Sequence, residues 1–280
     1  MTISILQLGA IDYATGLRLQ QKLVELRKEG RIGDVLLLLE HTPVITLGRN
    51  AKRSNILASP ELLAERAVEA FDCDRGGDVT FHGPGQLVGY PIFDLRALPS
   101  FDGKRKTLGA IEYVRRLEEV LMRTCADFGI ATQRICGLTG VWTAPNTLSS
   151  PAGSRACPEI AEGDLAPAEA KIAALGVHIS RAVTSHGFAL NVNTDLSYFD
   201  LIIPCGIAAK PVTSMEKELG HQVSLQEVAE SMSRNFGVVF ESQMLWLDSP
   251  QALLAEPEDT PLKLPENLRK LRGEEERFPA

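Results

Sequence analysis

The chain has 280 residues, of which 44% are hydrophobic, with a formal net charge of −7 and a sequence pI near 5.4. This is enough apolar material for one large domain or two small ones, and the acidity argues against a general nucleic-acid binder. The longest aliphatic run, Val35 to Leu39, is too short to cross a membrane, and no Lys or Arg precedes Arg18, so we expect neither a membrane span nor a secretory signal.

The first hundred residues alternate between predicted strands and helices. Leucines on one stripe predict a helix over 15–27 that stops before Gly30. A short helix over 60–67 begins at a proline. Strands are predicted at 3–8, at 34–40, after the turn at Pro43, at 70–73 and at 86–95.

The rest of the chain predicts two further helices and four strands. A helix over 107–128 has apolar residues three or four positions apart, namely Ile111, Val114, Leu117, Leu121 and Cys125. A helix over 224–236 starts with a capping-box pattern. Strands are predicted at 130–135, 140–143, 171–180 and 182–192, the last two as a hairpin. Because helices and strands alternate irregularly, the sequence predicts an α/β protein of the α+β kind, with a mixed sheet flanked by helices.

Two segments differ from the predicted core in composition. Residues 144–170 are rich in Pro, Ala, Ser and Gly without apolar periodicity, which predicts an exposed or disordered loop. Residues 246–280 form a Pro- and Glu-rich tail. The predicted organisation is therefore one catalytic domain over 1–245, with an inserted loop at 144–170, followed by the tail.

The segment RGGDVTFHGPGQLVGYP, from Arg75 to Pro91, is the most informative part of the sequence. It holds five glycines and two prolines, together with hydrogen-bonding side chains such as Asp78, Thr80 and His82. Glycine allows a backbone to approach a ligand where any Cβ would clash. The segment therefore predicts a binding surface built partly from bare backbone.

The cysteines raise the question of a reactive thiol. The five, at 73, 125, 136, 157 and 205, are odd in number and never spaced as CxxC, which argues against a disulfide framework or zinc and fits a reducing compartment. Each is then expected to be a free thiol. Cys205 stands between a proline and a glycine, in a turn that would present its sulfur, although a buried inert cysteine is the commoner case.

A reactive cysteine needs a partner that takes its proton. Lys171, at the start of an apolar strand, is a candidate, and the alternative is an ordinary surface lysine. His82 and His186 each precede a glycine, and either contact a bound group or hydrogen-bond a loop. The histidines form no HxH or HxxxH pair, so no metal site is expected.

These residues are similar to the lipoyl(octanoyl) transferase family. The Arg75–Pro91 segment closely resembles the signature of that family. Four further blocks match in the order of the family: LEHTPVITLGR at 39–49, KIAALGV at 171–177, SHGFALNVN at 185–193 and IPCG at 203–206. Together they cover residues 1 to about 240.

The resemblance implies a two-step acyl transfer without a cofactor, metal or nucleotide. An octanoyl or lipoyl group would pass from acyl carrier protein to the thiol of Cys205. It would then pass to a lysine of a lipoyl domain, in a 2-oxoacid dehydrogenase E2 subunit or the glycine cleavage H protein, as the first step of protein lipoylation. Lys171 would tune the thiol, although the insertion at 144–170 falls directly before it.

The resemblance also implies the biotin/lipoate protein ligase-like fold, a cytoplasmic location and no nucleic-acid or membrane partner. It implies that the acyl chain and its carbonyl are bound by Arg75, Gly76, Gly77, Asp78, Val79, Thr80, Phe81, His82, Ala174, Leu175, Gly176, Gly187, Phe188 and Ala189. Basic clusters that could recruit an acidic carrier are Lys52–Arg53, 104–106 and Arg115–Arg116.

Three alternatives remain open at this point. An ATP-dependent lipoate or biotin ligase of the same fold would need a nucleotide site and no cysteine nucleophile. A transferase between lipoyl domains would use the same dyad with a different donor. A non-catalytic acyl-binding protein would keep the pocket without turnover, which the presence of both Cys205 and Lys171 disfavours.

Overall fold

The structure is a computed structural model that describes residues 1–98, 100, 107–144, 169–203 and 211–253. Five α-helices lie in this part of the chain: α1 Tyr13–Lys28, α2 Pro60–Glu65, α3 Ala110–Asp127, α4 Met215–Leu219 and α5 Leu225–Val239. Its strands are β1 Thr2–Ile11, β2 Asp34–His41, β3 Val44–Leu47, β4 Glu69–Asp72, β5 Val79–His82, β6 Gln86–Ile92, β7 Thr132–Ile135, β8 Leu138–Thr143, β9 Lys171–Ser180, β10 Val183–Asn191 and β11 Gln243–Leu247.

The strands form one large and one small sheet. The large sheet has the order β11-β1-β2-β6-β10-β9-β8-β7, with β1 parallel to β11 and β2 and the other pairs antiparallel. The small sheet has the order β4-β3-β5. The prediction of a mixed sheet with flanking helices is therefore confirmed.

Helices cover both faces of the large sheet. On β2, Leu36 and Leu38 pack with residues of α3 and α5, whereas Leu37 and Leu39 pack with residues of α1. Successive side chains of a strand point to opposite faces, so a strand covered on both sides reads as a continuous apolar run. This is why β2 has the longest aliphatic run of the sequence.

The small sheet lies beside the large one and has its own core. Val79 and Phe81 of β5 pack with Ile45 of β3 and with Leu201, in a third hydrophobic cluster. The glycine segment thus contains a strand that composition did not predict, because its four strand residues stand between glycines. β5 then leads through residues 83–85 into β6 of the large sheet, which places the segment between the two sheets.

Several sequence predictions need correction in detail. Ile111 of α3 is 81% exposed, whereas Tyr113, Leu117 and Leu121 are buried, so the apolar stripe begins later than predicted. The strand β11 crosses the predicted domain boundary at 245 and pairs with β1. Residues 254–280 and most of the 144–170 insertion lie outside the described residues. At the ends of that insertion, the N–H of Thr143 donates to the carbonyl of Ala170 (2.9 Å).

The described cysteines differ in state. Cys73 and Cys125 are free thiols, and burial raises the pKa of Cys125 to about 12, which makes it inert near neutral pH. Cys136 is disulfide-bonded, so the expectation that every cysteine is free is wrong there. Within the ranges given above, no helix has both the length and the apolar character that a membrane span requires.

Candidate active site

A narrow cavity lies where the glycine segment passes over the middle of β9 and β10. Its volume, taken as the space open to the centre of a water molecule, is about 40 Å³. Its floor is made of small residues, because Gly176 and Ala174 of β9 pair directly with Gly187 and Ala189 of β10. The space is therefore slim and low in polar groups along the floor, a shape that suits an unbranched chain.

Gly176 has a second purpose besides leaving space. A Cβ at this position would lie 2.7 Å from the carbonyl oxygen of Gly76 and 3.2 Å from Cδ of Arg75. The N–H of Gly76 donates to the carbonyl of Val177 (3.0 Å). Bare backbone on both sides therefore lets the glycine segment touch β9, as the sequence predicted for a surface built from glycine.

Arg75 brings a buried positive charge to the cavity. Its side chain donates to the hydroxyl of Thr46 from Nε (3.1 Å) and Nη2 (2.9 Å), and to the carbonyl of Thr46 from Nη2 (2.6 Å). Nη1 donates to the carbonyl of Gly76 (3.0 Å). Within the described residues no carboxylate forms an ion pair with Arg75. The guanidinium is therefore held rigidly by neutral oxygens, and its charge favours an electron-rich group of a ligand in the cavity.

His82 forms a polar wall of the same cavity. Its Nδ1 lies 2.7 Å from Oε1 of Gln86, and its ring is stacked on that of Tyr13 with centroids 6.5 Å apart. Burial, followed by the proximity of His41, lowers the pKa of His82 to about 3. The ring is therefore neutral near pH 7.

Tyr13 and Tyr90 contribute hydroxyl groups above the floor. His41 Nδ1 lies 3.0 Å from the carbonyl of Ile11, which only accepts, so His41 Nε2 accepts a hydrogen bond from the hydroxyl of Tyr90 (2.7 Å). The hydroxyl of Tyr13 is buried and makes no hydrogen bond with any residue that the structure describes. Burial raises the pKa of both tyrosines, so both hydroxyls stay protonated.

The far end of the cavity carries an aspartate–histidine pair. His186 Nε2 donates to Oδ1 of Asp74 (2.7 Å), and its backbone N–H donates to Oε1 of Gln20 (2.8 Å). His186 has φ +54°, a conformation that a non-glycine residue keeps only under constraint. Burial lowers the pKa of His186. At Asp74 burial acts to raise the pKa, but the hydrogen bond from His186 and the charges of His186 and His178 together lower it.

Lys171 begins β9, the strand whose next residues form the cavity floor. Its side chain is buried, and Nζ lies 4.6 Å from the ring centroid of Trp142 on β8. Its backbone N–H donates to the carbonyl of Pro211 (2.9 Å), and its carbonyl accepts from the N–H of Thr213 (3.0 Å). Lys171 is therefore an interior residue rather than the surface lysine of the alternative interpretation. Its Nζ lies over the aromatic face in the geometry of a cation–π contact.

Cys205 lies outside the described residues, between Ile203 and Pro211. Both flanks belong to the structured part of the chain: the N–H of Ile203 donates to the carbonyl of Asn55 (2.7 Å), and Pro211 is the residue bonded to Lys171. Among the described residues, no three His, Cys, Asp or Glu side chains come close enough together to hold a metal ion.

Comparison with known proteins identifies the family. Residues 12–237 match the lipoyl protein ligase A/B catalytic domain family. The chain is 58% identical over 273 residues to an octanoyltransferase of Koribacter versatilis, an alignment that covers 98% of each chain. It is 57% identical to an octanoyltransferase of Acidobacterium capsulatum, over 91% of this chain and 97% of that protein. The chain belongs to the octanoyltransferase family.

Solved structures confirm the predicted fold of this family member. The structure resembles that of lipoate-protein ligase A bound with ATP, with a TM-score of 0.62 and 15% identity over 91% of this chain and 92% of the ligase. It also resembles a bipartite lipoate protein ligase from Thermoplasma acidophilum, with a TM-score of 0.60 and 15% identity over 90% and 89% of the two chains. At such low identity these likenesses bear on the fold alone. They support the biotin/lipoate protein ligase-like architecture.

Most of the binding residues that the octanoyltransferase resemblance implies lie around this cavity. Those that line it are Arg75, Gly77, Asp78, Thr80, His82, Ala174, Leu175, Gly176, Gly187, Phe188 and Ala189. Val79 and Phe81 do not, since alternation along β5 turns them into the third hydrophobic cluster while Thr80 and His82 face the cavity. Gly76 contacts Val177 through its backbone instead.

Sequence reasoning missed two residues that line the cavity of this octanoyltransferase family member. Tyr13 comes from α1 and stands in no motif. Tyr90 comes from β6, within the glycine segment, but was not among the binding residues that the resemblance implied. His186 was left open between a ligand contact and a structural bond. It lines the cavity, and its ring hydrogen-bonds to Asp74. A histidine before a glycine was the available signal.

Proposed function

We propose that this chain transfers an octanoyl group from acyl carrier protein to a lysine of a lipoyl domain through a thioester on Cys205. The cavity supports this proposal because its floor of Ala174, Gly176, Gly187 and Ala189 leaves a slim, apolar space. Each methylene buried there contributes about 0.8 kcal/mol to binding of the acyl chain. The reaction itself, transfer of an octanoyl group, follows from membership of the octanoyltransferase family.

The observation that carries the catalytic assignment is the burial of Lys171 at the start of the strand that forms the cavity floor. Lys171 is 8% exposed, stands on the strand that continues into Ala174 and Gly176, and is bonded through its backbone to Pro211. Cys205 is two residues after Ile203 and six before Pro211. In the proposed mechanism this buried amine exchanges a proton with the thiol of Cys205.

In the first half-reaction the thiol of Cys205 gives its proton to the amine of Lys171. The thiolate attacks the carbonyl carbon of the octanoyl thioester, and the bond to the carrier sulfur breaks. The departing carrier thiolate takes the proton back from the ammonium of Lys171. One thioester replaces another, so this step is close to neutral in energy and needs no ATP.

In the second half-reaction the ε-amine of the acceptor lysine attacks the Cys205 thioester. An amine with a pKa of roughly 10.4 in water must arrive neutral, which a desolvated cavity favours. Lys171 takes the proton that the attacking nitrogen loses and returns it to the leaving Cys205 thiolate. Backbone N–H groups near the carbonyl oxygen would stabilise the tetrahedral intermediate, by about 3 kcal/mol for one good donor.

Partner docking forms part of the proposal. Of the three basic clusters, Lys52–Arg53 stands beside the cavity, since the backbone N–H of Lys52 donates to the side chain of Asp78 (3.3 Å). Arg116 is buried, which removes it from a docking surface, and residues 104–106 lie outside the described part of the chain. We therefore assign recruitment of an acidic carrier to Lys52–Arg53. Lipoyl domains of E2 subunits and of the glycine cleavage H protein are the proposed acceptors, in the cytoplasm.

Intact-protein mass spectrometry after brief incubation with octanoyl-acyl carrier protein, in the absence of ATP, tests the proposal. The wild type is expected to gain one octanoyl group that hydroxylamine removes. Cys205→Ala should gain none, and Lys171→Ala should gain it slowly. Lys171→Arg keeps the positive charge but cannot exchange the proton, so it should resemble Lys171→Ala.

The alternatives predict different results in the same experiment. A ligase would show no adduct without ATP and would keep its activity in Cys205→Ala. A binding protein would retain the carrier without any covalent adduct. An unmodified wild type that still binds the carrier would therefore refute the thioester mechanism.

A further inference from the structure

A chain of buried hydrogen bonds determines which ring nitrogen of His82 carries the proton. Nδ2 of Asn191 donates to the carbonyl of Thr213 (2.9 Å), so Oδ1 of Asn191 accepts from Nε2 of Gln86 (2.8 Å). Nε2 of Gln86 also donates to the carbonyl of Phe81 (3.2 Å), which leaves its Oε1 as an acceptor for Nδ1 of His82 (2.7 Å). Backbone carbonyls only accept, so both amide orientations follow, and the proton of His82 is on Nδ1.

Nε2 of His82 is therefore a hydrogen-bond acceptor. It makes no hydrogen bond with any described residue, and His82 lines the cavity. The ring has a pKa of about 3, so near pH 7 it accepts a hydrogen bond without taking the proton. It is thus unsuited to be a general base, a task that requires a pKa near the operating pH.

The same chain connects His82 to the backbone of Lys171. Thr213, whose carbonyl accepts from Asn191, donates its N–H to the carbonyl of Lys171 (3.0 Å). Buried hydrogen bonds thus link the cavity wall at His82, through Gln86, Asn191 and Thr213, to the first residue of β9.

We infer that Nε2 of His82 accepts a hydrogen bond from the attacking amine of the acceptor lysine, a role that rests on the proposed function. The octanoyl chain and its thioester carry no N–H or O–H group, whereas a neutral amine brings two N–H groups into a buried site. One N–H binds His82, which directs the lone pair of the nitrogen toward the thioester carbon. After attack, the nitrogen loses its other proton to Lys171. The product amide keeps the N–H on His82.

Two substitutions separate this role from a structural one. Asparagine at 82 can replace the bond that Nδ1 makes to Gln86 but places no atom where Nε2 lies. Glutamine places an amide oxygen near the position of Nε2 and gives up the bond to Gln86. His221→Ala, at an exposed histidine, is the matched control.

The assay measures two rates on each variant. The first is loading of Cys205 from octanoyl-acyl carrier protein, and the second is aminolysis of the isolated octanoyl-enzyme by a lipoyl domain. In His82→Asn the ratio of aminolysis to loading is expected to fall about tenfold, the effect of one lost hydrogen bond. In His82→Gln it is expected to fall less than about threefold. Circular dichroism and urea unfolding establish that each variant is folded.

A measurement without turnover tests the protonation state directly. Long-range ¹H–¹⁵N correlation spectra of the wild type should show His82 protonated at Nδ1 and neutral from about pH 7.5 down to about pH 5. A proton on Nε2 would overturn the inference. So would a ratio that is unchanged in His82→Asn while the octanoyl-enzyme forms normally. Failure of the wild type to form any octanoyl-enzyme would instead refute the thioester mechanism itself, and the inference with it.

Discussion

Replacing Gly176 with alanine tests whether β9 and the glycine segment meet through bare backbone. The new Cβ would lie 2.7 Å from the carbonyl oxygen of Gly76, closer than a carbon atom and a backbone oxygen can approach. Either Gly76 or β9 must then move. Since the N–H of Gly76 donates to the neighbouring Val177 (3.0 Å), the movement would also lengthen that hydrogen bond.

The magnitude follows from these two effects. Forcing one extra methyl group into a close-packed site costs about 1–3 kcal/mol, and weakening one backbone hydrogen bond costs about 1 kcal/mol. We expect Gly176→Ala to lower the free energy of unfolding by about 2–4 kcal/mol. Gly33→Ala is the matched control, because nothing lies within 4 Å of a Cβ there and its φ is not positive. It should leave stability unchanged or raise it by up to about 1 kcal/mol.

Urea unfolding of the two variants at one pH gives this comparison, and the rate of Cys205 loading shows its effect on the site. Gly176→Ala is expected to load slowly as well, because Arg75 and Gly77 line the cavity and move with Gly76. If Gly176→Ala unfolds at the same urea concentration as Gly33→Ala and loads octanoyl at the wild-type rate, the close contact between Gly176 and Gly76 does not exist.

Three further predictions follow from individual contacts. Burial depresses the pKa of His82 to about 3, so below about pH 6.5 the unfolded chain takes up a proton that the folded chain does not. The contribution of His82 to the free energy of unfolding should therefore fall by about 1.4 kcal/mol from about pH 7.5 to about pH 5.5. If urea titrations of the wild type and of His82→Gln showed the same dependence of stability on pH, this would contradict the reasoning. Thr46→Val removes the hydroxyl that accepts from Nε and Nη2 of the buried Arg75, and should cost about 1.5–3 kcal/mol in urea unfolding, whereas a loss below about 0.5 kcal/mol would show that the guanidinium finds another partner. On α3, Leu117→Ala should cost about 2–5 kcal/mol and Ile111→Ala about 0.5 kcal/mol or less, and comparable thermal midpoints of the two would reverse the assigned face.

Local patterns predicted most helices and strands, but they did not locate the edges of the packed core. The stripe on α3 was predicted from Ile111 onward, although only the residues from Tyr113 on lie against the sheet. Periodicity shows that one side of a helix is apolar. Whether a given turn of the helix is buried depends on which other elements pack against it. The spacing of apolar residues within the helix does not give this information.

The strand β11 illustrates the same limit at the other end of the chain. Its sequence QMLWL is apolar, yet Leu245 is 50% exposed and Trp246 is 40% exposed, because β11 is an edge strand of the large sheet. Its strand character depends on parallel pairing with β1, more than two hundred residues earlier. Composition therefore placed the boundary of the tail, after residue 245, inside this strand.

The sequence by itself determined the chemistry that this chain can offer: a glycine segment with Arg75 and His82, a strand of small residues after Lys171, and a cysteine between proline and glycine. These are local properties, since they depend on residue type and on spacing within one segment.

Only the tertiary structure decided which of these groups share a cavity and which protonation state they have there. Tyr13 lines the cavity although α1 carries no motif, whereas Val79 and Phe81 of the glycine segment do not line it because side chains alternate along β5. The tautomer of His82 depends on hydrogen bonds that reach the backbone of Thr213, far away in sequence. Cavities and buried hydrogen-bond chains form between elements, so the residues that determine them are set by packing.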